Sequence, residues 1–358
     1  METLIEKVRQ EAAQVDEAGR KKLLNQLRDL QYEVEKPEDT MQRIIHLHLV
    51  LATIRMALDL DIFSLLTSVA HPLTLAQLCE STKTDDILLG RVLRLLSSLG
   101  YIKETLANTF AATPLCHTLS VPEIRAGVYR NYDVFGPVYQ ELPFFLKRNG
   151  YQNVTSLTDG IFQAAWKTKD PLFTWLHKHP RETVNFNLFM KAQRSSTPNC
   201  FEFYPIEEEC RDWPADRAVF VDVGGGAGHQ CNNFRSKFPQ LPGKVHDFVT
   251  PQPVEGAKYY YLRAILHDHS EESVKILKNL VPVMGPESVI LLDEMALPNE
   301  NIDWFATQTD ITMMCGFGSM ERTVEQWGNL LKRVGLRIEK LVTYTWSFRL
   351  SIIKVVKK

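Results

Sequence analysis

An apolar run that ends in glycines constrains this chain more than any other feature. Residues 218–228 read AVFVDVGGGAG, a short strand followed by a glycine loop. A dinucleotide site needs G-x-G-x-x-G, and counting from Gly224 the last position is His229. No Lys-Ser or Lys-Thr pair follows to make a P-loop. The loop fits a cofactor whose ammonium and carboxylate approach bare backbone, with Asp222 accepting from the ammonium, and the alternative is a simple tight turn.

Strand-like and helix-like segments alternate after this loop. The runs KYYYLRAIL (258–266) and ESVILLDEMAL (287–297) read as strands, and SEESVKILKNLVPVM between them reads as a capped amphipathic helix. This alternation predicts an α/β fold with a doubly wound, mostly parallel, Rossmann-like sheet. The tail, LRIEKLVTYTWSFRLSIIKVVKK, carries two β-rich runs around a turn, which predicts an antiparallel pair at the sheet edge.

The N-terminal part is predicted to be helical. Apolar positions at helical spacing predict two amphipathic helices before residue 36, and the segment 41–60, apolar on nearly every face, predicts one buried helix. Residues 62–113 read helix, turn, helix and hairpin, a winged-helix pattern, with Thr74 and Thr84 as helix caps. We therefore predict three domains: 1–115, with the N-terminal helices and a winged-helix dimerisation domain; 116–212, an aromatic-rich helical region that lines the substrate pocket; and 213–358, the cofactor-binding domain.

A winged helix raises the alternative of DNA binding. Its second helix begins with Asp85 and Asp86, and basic residues come only later, at Arg91 and Arg94. A recognition helix normally leads with donors for base edges and phosphates. The net charge of −2 gives no electrostatic attraction to nucleic acid. A structural or dimerisation role is therefore preferred.

Cysteine spacing and the distribution of apolar residues indicate the cellular compartment of the protein. The six cysteines are scattered without a C-x-x-C pair, which favours free thiols in a reducing compartment over disulfides or a zinc site. The N-terminus carries acidic residues instead of a secretory signal, and no run is apolar enough for a membrane span. The expectation is a cytoplasmic protein with no metal and no membrane partner.

Four segments together carry a family resemblance: FVDVGGGAGHQ, YYLRAILHD, LLDEMALP and TMMCGFGSMERTVEQW. They resemble the plant-type and fungal small-molecule O-methyltransferases of the caffeic acid O-methyltransferase kind, which use S-adenosylmethionine (SAM). The resemblance runs over most of the chain, from the N-terminal helices to the last strand. It implies SAM as the cofactor. The apolar stripes of the two N-terminal helices, which those helices cannot bury alone, predict a homodimer.

The resemblance also implies roles for individual residues. The histidine of LHD, His267, is the general base that takes the proton of a phenol, and Glu294 and Glu321 flank and orient it. Jointly these three at separate sheet edges favour a catalytic site over the simpler reading of polar strand ends. The predicted cofactor contacts are Asp222, Gly224, Gly225, Gly226 and Gly228 in the loop, Asp247 and Phe248 beside the adenine, and Arg263 just before the histidine.

The segment between His229 and Lys258 is too short for the complete fold. A full parallel sheet places two strands and a crossover helix here, and after the first helix the remaining residues hold three prolines and one strand-like run, KVHDFV. One strand and one helix are therefore predicted to be missing. Nothing matches the acid that holds the ribose hydroxyls, a loss worth roughly two orders of magnitude in cofactor affinity. By spacing, Asp247 could serve as that acid or beside the adenine, but hardly both.

We therefore predict a SAM-dependent O-methyltransferase acting on a hydroxyl of a small aromatic or polyketide-like metabolite in secondary metabolism. The alternative is a methyltransferase-fold protein without methyl transfer, either inactive or repurposed as a cyclase or pericyclase, because the ribose-binding region is short. A further departure is His269, where the family commonly has tryptophan. An exon omitted from the gene assignment would give the same shortening.

Overall fold

The computed structural model describes residues 2–195, 198–225, 228–241, 243–246, 252–267 and 272–358. Contacts divide the chain into two compact units. One comprises Met1–Leu23, Phe145–Pro171 and Thr197–Lys358, and the other comprises Leu24–Phe144 and Leu172–Ser196. Both units are built from more than one stretch of chain, and the three contiguous domains predicted from the sequence stay a prediction.

Helices and short strands make up the first part of the chain. Two helices, α1 (Glu2–Gln14) and α2 (Glu17–Val34), lie where the sequence predicts them. They are followed by α3 (Pro37–Ile45), α4 (Leu47–Asp59), α5 (Ile62–Thr67), β1 (Leu73–Thr74), α6 (Leu75–Thr82), α7 (Asp86–Ser98), β2 (Ile102–Leu106), β3 (Thr109–Ala112), α8 (Pro114–Ser120), α9 (Pro122–Tyr129), a π-helical stretch (Arg130–Phe135) and α10 (Gly136–Arg148).

Residues 62–113 form the predicted winged helix. The three strands pair in the order β1-β3-β2, with the wing turn at Ala107 and Asn108. Thr74 caps α6 as expected, and its hydroxyl accepts from the Gln77 amide. The predicted cap at Thr84 is wrong: Asp85 caps α7, because its carboxylate accepts from the Leu88 amide.

The prediction of one buried helix over residues 41–60 is wrong in two respects. The chain forms two helices, α3 and α4, that meet at His46. Apolar side chains in the first half of this segment are exposed, including Ile45 at 59% and Leu47 at 59%. Burial begins only near Thr53, because only the last turns of α4 face the core of the winged-helix unit.

The remaining helices and strands of the chain include those of the main sheet. They are α11 (Ile161–Trp166), α12 (Leu172–His177), α13 (Pro180–Ser195), α14 (Ile206–Glu209), β4 (Phe220–Val223), α15 (His229–Lys237), β5 (Gly243–His246), β6 (Tyr259–Arg263), α16 (Glu272–Leu280), β7 (Val289–Leu297), α17 (Trp304–Phe317), β8 (Arg322–Thr323), α18 (Val324–Lys332), β9 (Leu336–Thr343) and β10 (Leu350–Lys357). Of these, α12 and α13 belong to the same unit as the winged helix. Among the described residues no helix has both the length and the apolar character that crossing a membrane requires.

The main sheet has the predicted doubly wound form. Its strand order is β5-β4-β6-β7-β10-β9, and β8 pairs with β7 beyond this path. The strands β5, β4, β6 and β7 run parallel, and β10 and β9 close the sheet as an antiparallel pair. Strands β4, β6 and β7 are buried on both faces, since apolar cores lie on either side. The carboxyl ends of β4, β6 and β7 therefore share one edge of the sheet.

The shortened segment is confirmed where the structure describes it. Between α15 and β6 the described residues hold one strand, β5, which pairs directly with β4, and no helix. The strand ends at His246, so the predicted adenine-side residues Asp247 and Phe248 follow it and lie outside the described residues. Among the described residues, the sheet therefore has one strand, β5, beyond β4 on this side.

Candidate active site

His267 and Glu321 meet at the carboxyl edge of the sheet. The imidazole Nδ1 lies 2.9 Å from the carboxylate Oε1 of Glu321. His267 follows β6 by a few residues, and Glu321 directly precedes β8 after helix α17. The side chain of His267 is 15% exposed and that of Glu321 is 1% exposed. The two predicted partners therefore form a mostly buried pair, in which the His267 ring keeps some solvent exposure and the Glu321 carboxylate has almost none.

This bond assigns the tautomer of the ring. An ionised carboxylate only accepts hydrogen bonds, so in the neutral imidazole the proton lies on Nδ1. Nε2 is then the acceptor nitrogen, as a general base requires. Glu321 is held in turn by its own backbone, because its amide donates to Asp310 Oδ1 at 2.7 Å.

Glu294 lies beside this pair but contacts the backbone. Its Oε1 accepts from the amides of Ile265 and Leu266, each at 2.9 Å. Burial raises the pKa of Glu294 to about 7, an effect that His267 opposes and Glu321 reinforces. The role of Glu294 in orienting the histidine stays a prediction. Its hydrogen bonds show that it binds the backbone of the two residues that precede His267.

Asp222 is the penultimate residue of β4, close to the glycine loop as the sequence predicts. The residue is 2% exposed, and the Cys231 amide donates to its carboxylate. Burial raises the pKa of Asp222 to about 6. Within the described part of the chain its Oδ2 has no hydrogen-bond partner. A buried acceptor in this state is suited to a donor brought by a ligand.

The described glycines of the loop adopt the conformations that the motif needs. Gly224 and Gly228 have φ of +80° and +77°, which favours glycine. A Cβ on Gly225 would lie 2.2 Å from Asp222 Oδ2, so any residue larger than glycine would clash with the Asp222 carboxylate. Gly226 lies outside the described residues.

Arg263 is held by a buried network that sequence reasoning missed. Its Nε lies 3.4 Å from Asp293 Oδ2. Asp293 is 1% exposed and accepts from the hydroxyls of Tyr261 at 2.5 Å and Tyr344 at 2.6 Å. The acid itself was visible in LLDEMALP, next to Glu294, and the sequence prediction included only Glu294.

The described residues fit the amino-acid end of SAM. The Asp222 carboxylate is an acceptor for an ammonium, and the Arg263 guanidinium is a donor for a carboxylate. The positive charge of Arg263 also lowers the Asp222 pKa, against the larger effect of burial, which indicates that the two side chains lie near each other. The predicted adenine-side residues, Asp247 and Phe248, lie outside the described residues.

Two family models match the chain. A model of the O-methyltransferase dimerisation domain matches residues 42–122, and a model of the O-methyltransferase domain matches residues 248–337. The second match includes His267, Glu294 and Glu321 but begins after the glycine loop.

Curated relatives match over the full length. A demethylsterigmatocystin 6-O-methyltransferase from Aspergillus flavus is 34% identical over an alignment that covers 100% of this chain and 98% of the relative. That alignment runs over 382 positions, although the chain has 358 residues, so some of its positions have no counterpart here. The O-methyltransferase lepI of the same fungus is 34% identical, covering 95% of this chain and 94% of the relative.

Solved structures share the architecture. A structure described as a pericyclic reaction enzyme matches with a TM-score of 0.87 and 32% identity, covering 99% of this chain and 98% of the other. A structure of LepI in complex with SAM matches with a TM-score of 0.88, 32% identity and the same coverage.

Proposed function

The chain belongs to the SAM-dependent O-methyltransferase family, and we propose that it methylates a hydroxyl group of a small aromatic or polyketide-like metabolite. Its relatives carry out this kind of chemistry in fungal secondary metabolism, as the name demethylsterigmatocystin 6-O-methyltransferase states for one of them. The acceptor of this chain is proposed only as a class: a planar hydroxylated compound.

The observation that carries the proposal is the 2.9 Å bond between His267 Nδ1 and Glu321 Oε1. A phenol with a pKa of about 10 is under about 1% ionised at neutral pH, whereas methyl transfer needs an electron-rich oxygen. With the proton on Nδ1, the ring accepts the phenol proton at Nε2, and Glu321 stabilises the imidazolium that results. Such a base contributes about 10²–10⁴-fold to the rate.

SAM, when bound, supplies the methyl group as an electrophilic sulfonium substituent. We assign its ammonium to Asp222, near the end of β4, and its carboxylate to Arg263, the last residue of the neighbouring strand β6. Asp247 and Phe248 are proposed for the adenine side. Arg263 is held in place by Asp293, whose buried carboxylate also accepts hydrogen bonds from the Tyr261 and Tyr344 hydroxyls.

We also propose that the enzyme is a cytoplasmic homodimer. The match to a dimerisation domain and the exposed apolar side chains of α3 and α4 support self-association. The scattered spacing of the six cysteines, without a C-x-x-C pair, supports a reducing compartment.

Methyl transfer from labelled SAM to a panel of phenols, catechols and hydroxylated polyketides tests the proposal. The wild-type chain should label at least one hydroxylated acceptor, and His267→Ala should lose about 10²-fold or more of that rate. His117→Ala, an exposed histidine on α8, is the matched control and should keep it. Equal rates for wild type and His267→Ala would contradict the proposed base.

A second candidate is a SAM-binding enzyme that rearranges its substrate. It is favoured by the similarity to the structure described as a pericyclic reaction enzyme. Mass spectrometry separates the two, because methylation adds a CH₂ to the acceptor mass, whereas a rearrangement leaves the mass unchanged. A product of unchanged mass formed without consumption of SAM would establish this second function.

A further inference from the structure

Both backbone polar groups of Leu266, the residue that precedes His267, are bound by buried side chains. The Leu266 amide donates to Glu294 Oε1 at 2.9 Å. The Leu266 carbonyl accepts from Ser273 Oγ at 2.8 Å and from Arg322 Nη1 at 2.9 Å. Leu266 and Ser273 are 0% exposed, Glu294 1% and Arg322 4%. Three separate elements, α16, β7 and β8, therefore converge on one residue.

The chain enters this arrangement through a strained turn. Ala264 has φ of +50°, a conformation that costs a residue with a Cβ about 1–2 kcal/mol. The next two amides, of Ile265 and Leu266, point at the same oxygen of Glu294. Successive amides that converge in this way form an anion-binding nest. The carboxylate therefore stabilises the turn that brings the chain from β6 to His267.

Arg322 links the position of the His267 ring to the position of the backbone that precedes it. It adjoins Glu321, which binds the imidazole, so one short segment holds both the side chain and the preceding carbonyl. Arg322 is itself fixed, since its guanidinium lies over the Trp327 ring at 4.9 Å, and Trp327 Nε1 donates to the Met295 carbonyl at 2.9 Å. A shift of the Leu266 carbonyl would therefore move His267 relative to Glu321.

We propose that Ser273 and Arg322 are positioning residues that act through the Leu266 carbonyl to keep His267 in register with Glu321, with the proton on Nδ1. They touch no reacting atom. The inference rests on the proposed function, because it gives His267 the role of base. It adds two residues, from α16 and β8, to a site otherwise described by a histidine and two glutamates.

The tautomer of His267 tests the proposal without any substrate. Free imidazole side chains prefer the proton on Nε2, so the Nδ1–H form reports the contact with Glu321. Long-range ¹H–¹⁵N spectra of the full-length chain with labelled histidine separate the two forms. The chain has 10 histidines, and a His267→Gln sample assigns the signal.

Ser273→Ala and Arg322→Lys are the test variants. We expect each to raise the Nε2–H to Nδ1–H ratio of His267 by about two- to tenfold, the equivalent of one ordinary hydrogen bond. Ser288→Ala is the matched control: Ser288 is 3% exposed and donates to the Ala257 carbonyl at 2.6 Å, away from Leu266. Ser288→Ala should lose about as much stability as Ser273→Ala does, and it should leave the Nε2–H to Nδ1–H ratio of His267 at the wild-type value.

A wild-type ratio in Ser273→Ala and in Arg322→Lys would overturn the proposal, as would an equal change in Ser288→Ala. Ser273→Ala removes a single oxygen, so it decides the question even if Arg322→Lys does not fold. Failure of the proposed function is a separate result. It would appear as no methyl transfer by the wild-type chain, whereas the tautomer ratios are measured with no acceptor present.

Discussion

His267 Nδ1 and Glu321 Oε1 lie 2.9 Å apart although 54 positions separate the two residues in the chain. The contact exists because the carboxyl end of β6 and the start of β8 meet at one edge of the sheet, where β7 pairs with both strands. A buried carboxylate beside a partly exposed imidazole is the arrangement that orients a general base.

Glu321→Gln should lower kcat by about 10²-fold or more while leaving the KM for SAM near the wild-type value. The amide can donate to Nδ1 and so favour the tautomer with the wrong nitrogen protonated. Steady-state kinetics with any acceptor found in the panel measures both constants. Glu339→Gln, an exposed acid on β9, is the control. A change confined to the KM for SAM would argue that Glu321 serves binding instead.

Glu294 should make the protein less stable as pH rises. Its pKa is about 7 in the folded chain, against the ordinary glutamate value of 4.5, so the folded protein binds this proton more tightly than the unfolded chain does. The contribution of Glu294 to stability is therefore greatest below about pH 4.5 and is lost as pH rises through about 7. Melting temperatures of wild type and Glu294→Gln between pH 5 and pH 8 should show a smaller decline in the variant.

Glu294→Ala provides the contrast. The glutamine still accepts from the Ile265 and Leu266 amides, whereas alanine leaves two buried donors without an acceptor, at about 1–3 kcal/mol each. At pH 8 we expect Glu294→Gln to match or exceed wild type and Glu294→Ala to fall well below it. Identical melting of the two variants would exclude the backbone role of Glu294.

The sequence predicted the sheet because a glycine loop and alternating strand-like and helix-like segments are local signals. The pair of His267 and Glu321 was predicted from the family resemblance of the segments that carry LHD and MERT. The sequence could not predict that Glu294 binds backbone amides, since that depends on the left-handed turn at Ala264. It also missed Asp293 with its two tyrosines, because a network across β6, β7 and the segment before β10 has no sequence spacing. The burial of residues 41–60 was overestimated because apolar content alone does not distinguish a core from a surface covered by a second chain.

Ala264→Gly should be neutral or stabilising, by up to about 1 kcal/mol, because glycine adopts φ of +50° without strain. Ala264→Val should be destabilising by more than about 1 kcal/mol, since a branched Cβ is poorly tolerated there. Denaturant unfolding measures both. Ala306→Gly within α17 is the control and should lower the free energy of unfolding, because glycine inside a helix costs about 1 kcal/mol. A loss of equal size for both glycine variants would contradict the strained turn.

Ile45→Glu should weaken the proposed dimer. Ile45 is 59% exposed at the end of α3, among other exposed apolar side chains of α3 and α4. Placing a charge in a dimer interface is costly, so light scattering should show the wild type as a dimer and Ile45→Glu shifted toward monomer. Leu106→Glu, at a side chain 73% exposed on the wing, is the control and should remain dimeric. A monomeric wild type would refute the dimer.

The described part of the sheet has one strand, β5, beyond β4, and we propose that the sheet still holds SAM above the glycine loop. Calorimetric titration of SAM into the wild-type chain tests it most directly. We predict saturable binding at one SAM per chain, with affinity that rises as pH increases through about 6, because the ammonium needs the ionised form of Asp222. Asp222→Asn should bind about tenfold or more weakly and lose this pH dependence. The absence of binding heat in the wild-type chain at millimolar SAM would contradict the account.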